Sequence, residues 1–315
     1  MNLDVPLIEA AIERQPIVVA PQTQLVDVIA LMNQRRAHIN QHLDNKRDYC
    51  SSCSCALVME NTKLLGIFTE RDIVRITAQN ISLEGVKVAE FMVQPVITLE
   101  KSAFEDIFGI LFLFRRYRIR HLPILSDRGE VIGVVSPESI RKILRPDNFL
   151  KMRRVADVMT SNAISASMTT SVLEIAQIMA EHRVSCVVIT QELEVDDLPI
   201  VTNPVGIITE RDIVQFQALK INLEEVSAQS VMSSPLFLLT PEDSLWTAHQ
   251  EMQRLHVRRL VVSWNWGQGL GIVTLTSLLR IFDPIEMYGV IETLQQTIEQ
   301  LEAEKAQLLQ KLNTV

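Results

Sequence analysis

Residues 66–74 read Gly-Ile-Phe-Thr-Glu-Arg-Asp-Ile-Val, and residues 206–214 read Gly-Ile-Ile-Thr-Glu-Arg-Asp-Ile-Val. Only Phe68 and Ile208 differ, and the two stretches lie 140 residues apart. Two looser copies interleave with them. Residues 133–140 read Gly-Val-Val-Ser-Pro-Glu-Ser-Ile, and residues 271–278 read Gly-Ile-Val-Thr-Leu-Thr-Ser-Leu. The hydroxyl residues Thr69, Ser136, Thr209 and Thr274 therefore recur at intervals of 67, 73 and 65 residues. A recurrence on this scale means one small structural unit used four times.

A second signature precedes three of the copies. Val88-Ala-Glu-Phe-Met92, Val155-Ala-Asp-Val-Met159 and Gln229-Ser-Val-Met232 each lead into an apolar run, whereas Ala10 to Ile12 is a poor substitute before the first copy. Within a copy the apolar period switches in a fixed order. Ile17 to Val19 reads as a strand. Leu25, Val28, Ile29 and Met32 recur at helical spacing. Ala56 to Met59 and Leu64 to Phe68 read as strands, and Glu70 to Ile76 is helical again. The later copies predict helices at 104–114, 172–179 and 245–255, and strands at 122–125, 186–189 and 260–262. Each unit is thus β-α-β-β-α, an α/β fold with a sheet too small to stand alone. Copies 1 with 2 and 3 with 4 are expected to pair. The expected divisions are 1–84, 85–150, 151–226, 227–284, and a C-terminal helical segment, 285–315.

Composition agrees with a packed, core-forming chain. Of 315 residues, 47% are hydrophobic and 22% charged, which is not a disordered composition. The net charge of -8 argues against broad nucleic-acid binding but leaves room for a local basic pocket. The apolar run from Ile107 to Phe114 ends at Arg115, well short of a membrane span. Asp4 and Glu9 near the start do not suit a signal peptide, so a cytoplasmic protein without membrane contact is expected.

The repeated motif and its spacing resemble the CBS domain, which occurs in tandem pairs called Bateman modules. The resemblance covers about residues 10 to 283. Thr69 and Asp72 can be read two ways. A hydroxyl at the end of a strand with an acidic residue three positions on is a helix capping box. The same geometry lets a first-turn carboxylate accept from a ribose diol, with free amides nearby for phosphate. In CBS domains the matching Asp binds ribose and the Thr lines the site, so the resemblance carries those roles to Thr69, Asp72, Thr209 and Asp212. Copies 2 and 4 place Ser139 and Ser277 at the Asp position, which suits a ribose poorly. One good site per pair is expected.

The resemblance also implies cations facing a central cleft. Tyr117 to Pro123 and Leu255 to Leu260 supply Arg120, His121, Arg258 and Arg259 as phosphate contacts. Arg71 and Arg211 read as exposed helix residues. The adenine is expected against the first strand, near Val18, Val19 and Ala20 in copy 1 and Ile164, Ser165 and Ala166 in copy 3. AMP, ADP or ATP, or a related adenosyl ligand such as S-adenosylmethionine, would be the regulatory ligand, with no obligatory cofactor.

Copy 1 carries an insertion with His38, His42, Cys50 and Cys53, a pattern that could hold zinc or sense redox state but lacks a standard spacing. Cys55 and Cys186 read as core residues. Copy 3 has its own insertion, Glu192 to Asn203, expected as a surface loop. Beyond Pro284, Ile291, Leu294, Ile298, Leu301, Lys305, Leu308 and Leu312 form a heptad seam, predicting a coiled coil in a homodimer. CBS pairs stack into discs through their outer helices, which would supply a second interface. The arrangement resembles the N-terminal input region of bacterial, particularly cyanobacterial, signalling proteins. A sensor that signals through the coil to a downstream effector domain is therefore expected. A dimerisation scaffold with vestigial clefts is one rival, and a zinc or redox sensor working through the copy 1 insertion is the other. No Walker loop, nucleophile elbow or His-Glu-x-x-His is present, so no enzyme is expected.

Overall fold

The computed structural model describes residues 8–41, 54–103, 107–143, 150–151, 153–193 and 201–282. The cysteine-containing part of the copy 1 insertion and the heptad seam lie outside them.

Each copy forms a three-stranded sheet. The strands are β1 (Ile17–Val19), β2 (Cys55–Glu60) and β3 (Lys63–Thr69) in copy 1. Copy 2 has β4 (Leu99–Glu100), β5 (Leu122–Leu125) and β6 (Val131–Val135). Copy 3 has β7 (Ser165–Ser167), β8 (Cys186–Leu193) and β9 (Val201–Thr209), and copy 4 has β10 (Leu238–Leu239), β11 (Arg259–Trp264) and β12 (Gly269–Thr274). The first strand of each pairs parallel with the second, and the second pairs antiparallel with the third. A parallel pair needs a crossover, which a helix supplies. These first helices are Leu25–Gln41, Ile107–Tyr117, Val172–His182 and Leu245–Arg254. A second helix follows the third strand directly, or in copy 2 after Ser136 alone: Glu70–Ala78, Pro137–Ile143, Glu210–Ala218 and Leu275–Leu279.

Two departures from expectation have local causes. Glu192 to Asn203 is not simply a loop. Gln191, Glu192 and Leu193 pair with Asn203, Thr202 and Val201, so the insertion lengthens the β8–β9 hairpin. The segment before copy 1 is not a poor lead-in either. Ile12 and Glu13 lie so close over Gly133 that a Cβ there would strike the Glu13 carbonyl, and Glu13 bridges Val134 with both backbone hydrogen bonds at 3.0 Å.

That contact explains the Met signature. Met92 sits against Gly66, Met232 against Gly206 and Met159 beside Gly271. Each lead-in thus closes over the third strand of its partner copy, where only glycine leaves room. The sheets pair as expected. Cys55, Leu57 and Ile67 of copy 1 cluster with Val134 of copy 2, and Cys186, Val188 and Ile207 of copy 3 with Val261 and Ile272 of copy 4.

The outer helices, expected at an interface between chains, meet within one. Val74 and Val214, the last residues of the two matching stretches, exchange places: Val214 packs in the copy 1 core and Val74 in the copy 3 core. Gln217 donates to Thr77 at 2.9 Å. Copies 2 and 4 share one large core that includes Ile110, Phe114, Ile140, Leu245 and Leu278. The chain therefore closes a four-part disc on itself, with a pseudo-twofold relating copy 1 to 3 and copy 2 to 4.

Candidate functional site

Folding the four copies about that axis leaves a cavity of about 630 Å³ at the centre. All four contribute walls. Copy 1 brings Ser54, Thr69, Glu70, Arg71 and Asp72, and copy 2 brings Tyr117 to His121 and Ser136 to Glu138. Asn162 to Ile164 and Arg183 to Cys186 come from copy 3, and Arg258, Arg259 and Thr274 to Thr276 from copy 4. Seven arginines line it against three carboxylates, in a chain of net charge -8. The basic pocket that composition allowed is here.

The helix starts are built as the capping reading requires. Thr69 N and Oγ1 both donate to Asp72 Oδ2, at 2.9 and 2.8 Å. Thr209 repeats this with Asp212 at 2.8 and 2.7 Å. In each case the second carboxylate oxygen stays clear of the cap. Asp72 is buried, which raises its carboxyl above the usual aspartate range despite the Thr69 hydrogen bonds. In copy 2, Ser136 and Ser139 satisfy each other, with backbone N–H groups donating to the opposite hydroxyl at 3.0 and 3.2 Å. Thr274 and Ser277 do likewise in copy 4.

The cations are engaged across the centre. Arg120 donates to Glu210 Oε2 at 2.5 Å, and Arg71 lies 3.5 Å from the same carboxylate. Arg211 pairs reciprocally with Glu70 at 3.6 Å. Arg258 grips Glu138 and donates to Ser54 Oγ at 3.0 Å. Arg259 donates to Ser185 Oγ at 3.2 Å, while its buried Nε has no hydrogen-bond partner. Burial alone would raise Glu70, but Arg211, Arg258 and Arg120 hold it below the usual glutamate range. Burial would likewise lower Arg120, and Glu210 more than compensates, so its guanidinium is firmly charged. His121 differs. Burial, reinforced by the Arg120 charge, pushes its imidazole down to about 3. It is neutral at neutral pH and offers a dipole, not a cation.

Of the residues singled out from sequence, the cavity gathers Thr69, Asp72, Arg120, His121, Arg258 and Arg259. Thr209 and Asp212 are not among its walls, and neither are Val19, Ala20, Ser165 or Ala166. Strand alternation accounts for Val19: it is 6% exposed in the copy 1 core, while Val18 faces out at 52%. Arg71 is an exposed helix residue, as expected, and still lies 3.5 Å from Glu210. Sequence reading missed Glu70, Glu138 and Glu210 altogether. The signal for two of them was there, since both matching stretches carry Glu after Thr. An acidic residue in a first helical turn, however, is already explained by the helix dipole. Cys55 and Cys186 are buried, as expected of core residues. Among the described residues no His/Cys/Asp/Glu cluster could hold a metal, and no helix is long and apolar enough to cross a membrane.

Comparison with known proteins agrees with this architecture. The CBS domain model matches residues 8–78, 88–146, 155–219 and 228–283. An uncharacterized Methanopyrus kandleri protein, MK0525, is 32% identical over 148 residues, 47% of this chain and 71% of its own length. Methanococcus vannielii homoserine O-acetyltransferase is 37% identical over 86 residues, but the match spans only 17% of that enzyme. The crystal structure of protein MJ1225 from Methanocaldococcus jannaschii superposes with a TM-score of 0.66 at 19% identity, covering 87% of this chain and 99% of that one. At that identity the likeness is one of fold.

Proposed function

The chain belongs to the CBS domain family, and from that premise we propose that it is a regulatory module, not a catalyst, that senses adenine nucleotides. One observation carries the reading: Thr69 and Asp72 stand in the wall of a cavity whose other walls present arginines from three copies. A ribose hydroxyl can approach Asp72 Oδ1, the oxygen outside the cap, which lies 3.7 Å from Arg75, while phosphates extend toward Arg120, Arg258 and Arg259. Phosphate, like carboxylate, matches the geometry of an arginine fork. The unpartnered Nε of Arg259 is a donor that such a ligand would satisfy. Thr209 and Asp212 supply the equivalent carboxylate for a second site in the other module. Binding would change how the four copies sit about the axis and pass that change to the segment after Pro284, and so to an effector in a cytoplasmic homodimer.

Calorimetric titration with AMP, ADP, ATP and S-adenosylmethionine tests the reading. A phosphate-bearing nucleotide should bind, and Asp72→Asn, which keeps one acceptor for the cap, should weaken it about tenfold by removing a charge-assisted hydrogen bond. If no nucleotide binds or raises the melting temperature, the reading fails. The scaffold reading has one observation in its favour, namely that Glu210 and Glu138 already occupy the arginines. It requires the absence of any such binding.

A further inference from the structure

We infer that Glu210 and Glu138 act as built-in competitors for the ligand's phosphates, so that they set the affinity of the central cavity. This rests on the proposed nucleotide site and names the residues that regulate it. The pairs have a common property: each joins different modules. Arg120 belongs to copy 2 and Glu210 to copy 3, and they meet at 2.5 Å. Arg258 of copy 4 holds Glu138 of copy 2 and, at 3.0 Å, Ser54 of copy 1. Arg71 and Arg211 cross between copies 1 and 3 to Glu210 and Glu70. Glu210 is 1% exposed and Glu138 6%. A carboxylate so buried is held there by its arginines, since alone it would not leave water.

Phosphate oxygens and carboxylate oxygens ask the same geometry of a guanidinium. A phosphate reaching Arg120 therefore takes the donors that Glu210 now uses, and one reaching Arg258 takes those of Glu138. Two consequences follow. Binding energy is reduced by the cost of releasing the carboxylates. Each exchange also removes an ion pair that ties one module to the other, so occupancy of the cavity is converted into a looser centre. Arg259 stands apart. Its hydroxyl partner carries no charge and its Nε makes no hydrogen bond among the described residues, so it is a cation that a phosphate meets without displacing a carboxylate.

The test is affinity of the full chain for ATP and for inorganic tripolyphosphate, in wild type and in Glu210→Gln and Glu138→Gln. Glutamine keeps the shape and an acceptor but releases the guanidinium. Each variant should bind tripolyphosphate about tenfold tighter, the equivalent of one charge-assisted hydrogen bond no longer broken. Glu60→Gln, the same charge change on an exposed hairpin end, should leave affinity within about twofold, because a distant surface charge is screened. Unchanged or weaker binding in a folded variant overturns the inference, as does equal tightening in Glu60→Gln. If one glutamine variant fails to fold, the other reads the same competition. Tighter tripolyphosphate with no ATP binding in any protein upholds the competition and sinks the adenine reading. ATP binding that the variants do not tighten does the reverse.

Discussion

His121 converts its burial into a pH dependence of stability that can be isolated. Its imidazole is pushed down to about 3, from about 6.5 when free. Burial is the larger cause, the Arg120 charge adds to it, Glu70 opposes, and Arg258 and Arg71 add again. Because the folded value is the lower one, the unfolded chain takes up a proton first as pH falls. Stability is therefore intact above about pH 6.5 and erodes on acidification until the folded imidazole itself protonates, near 3. Each further pH step within that window costs about 1.4 kcal/mol. Going from about pH 7 to about pH 5 should thus remove about 2 kcal/mol through this one residue. Other groups titrate too. Glu70, held low, loses its contribution in acid, while Asp72, held high, gains. Comparison with His121→Asn cancels both, since that variant keeps the surrounding charges. Urea unfolding at the two pH values, in both proteins, gives the number. The wild type should lose about 2 kcal/mol more than the variant. Losses equal within about 0.5 kcal/mol would show that the imidazole is not shielded from protonation, and the argument for a neutral His121 would fall.

Two further outcomes are expected. Gly133→Ala should destabilise more than Gly66→Ala, because the new Cβ meets the Glu13 backbone in one case and the flexible Met92 side chain in the other. Thermal unfolding should show about 3 kcal/mol against about 1 kcal/mol, the span usual for overpacking, and the reverse order would be inconsistent with the lead-in contact. A chain ending before Pro284 should run as a monomer in light scattering, since the helices that would join pairs from two chains into a disc already pack against each other within one. A stable dimer of that fragment would show that another face associates.

Much of this fold could be read because it repeats. Periodicity located the strands and helices, and the matching stretches located the helix starts that carry Thr69 and Thr209. Which copies pair through their sheets was also legible, because adjacent small sheets have little else to cover them. What was not legible is the closure of the disc within one chain. Val74 and Val214 look like ordinary core residues of their own helices. Nothing in a local pattern tells that each is buried in the other's copy. The same limit hid the site's central chemistry. Arg120 and Glu210 are 90 residues apart, and Arg258 and Glu138 are 120 apart. A motif reading assigns each cation a ligand because it sees no partner nearby. The fold supplies one. On the proposed function that difference matters: arginines in open water would bind phosphate at a small desolvation cost, whereas Arg120 and Arg258, already paired across two modules, would bind it by releasing Glu210 and Glu138. The literal repeat matters most here. Having the same Glu-Arg pair at both helix starts is what makes the crossing reciprocal, Arg71 to Glu210 and Arg211 to Glu70. On the proposed function, a single ligand at the axis would therefore perturb both modules at once.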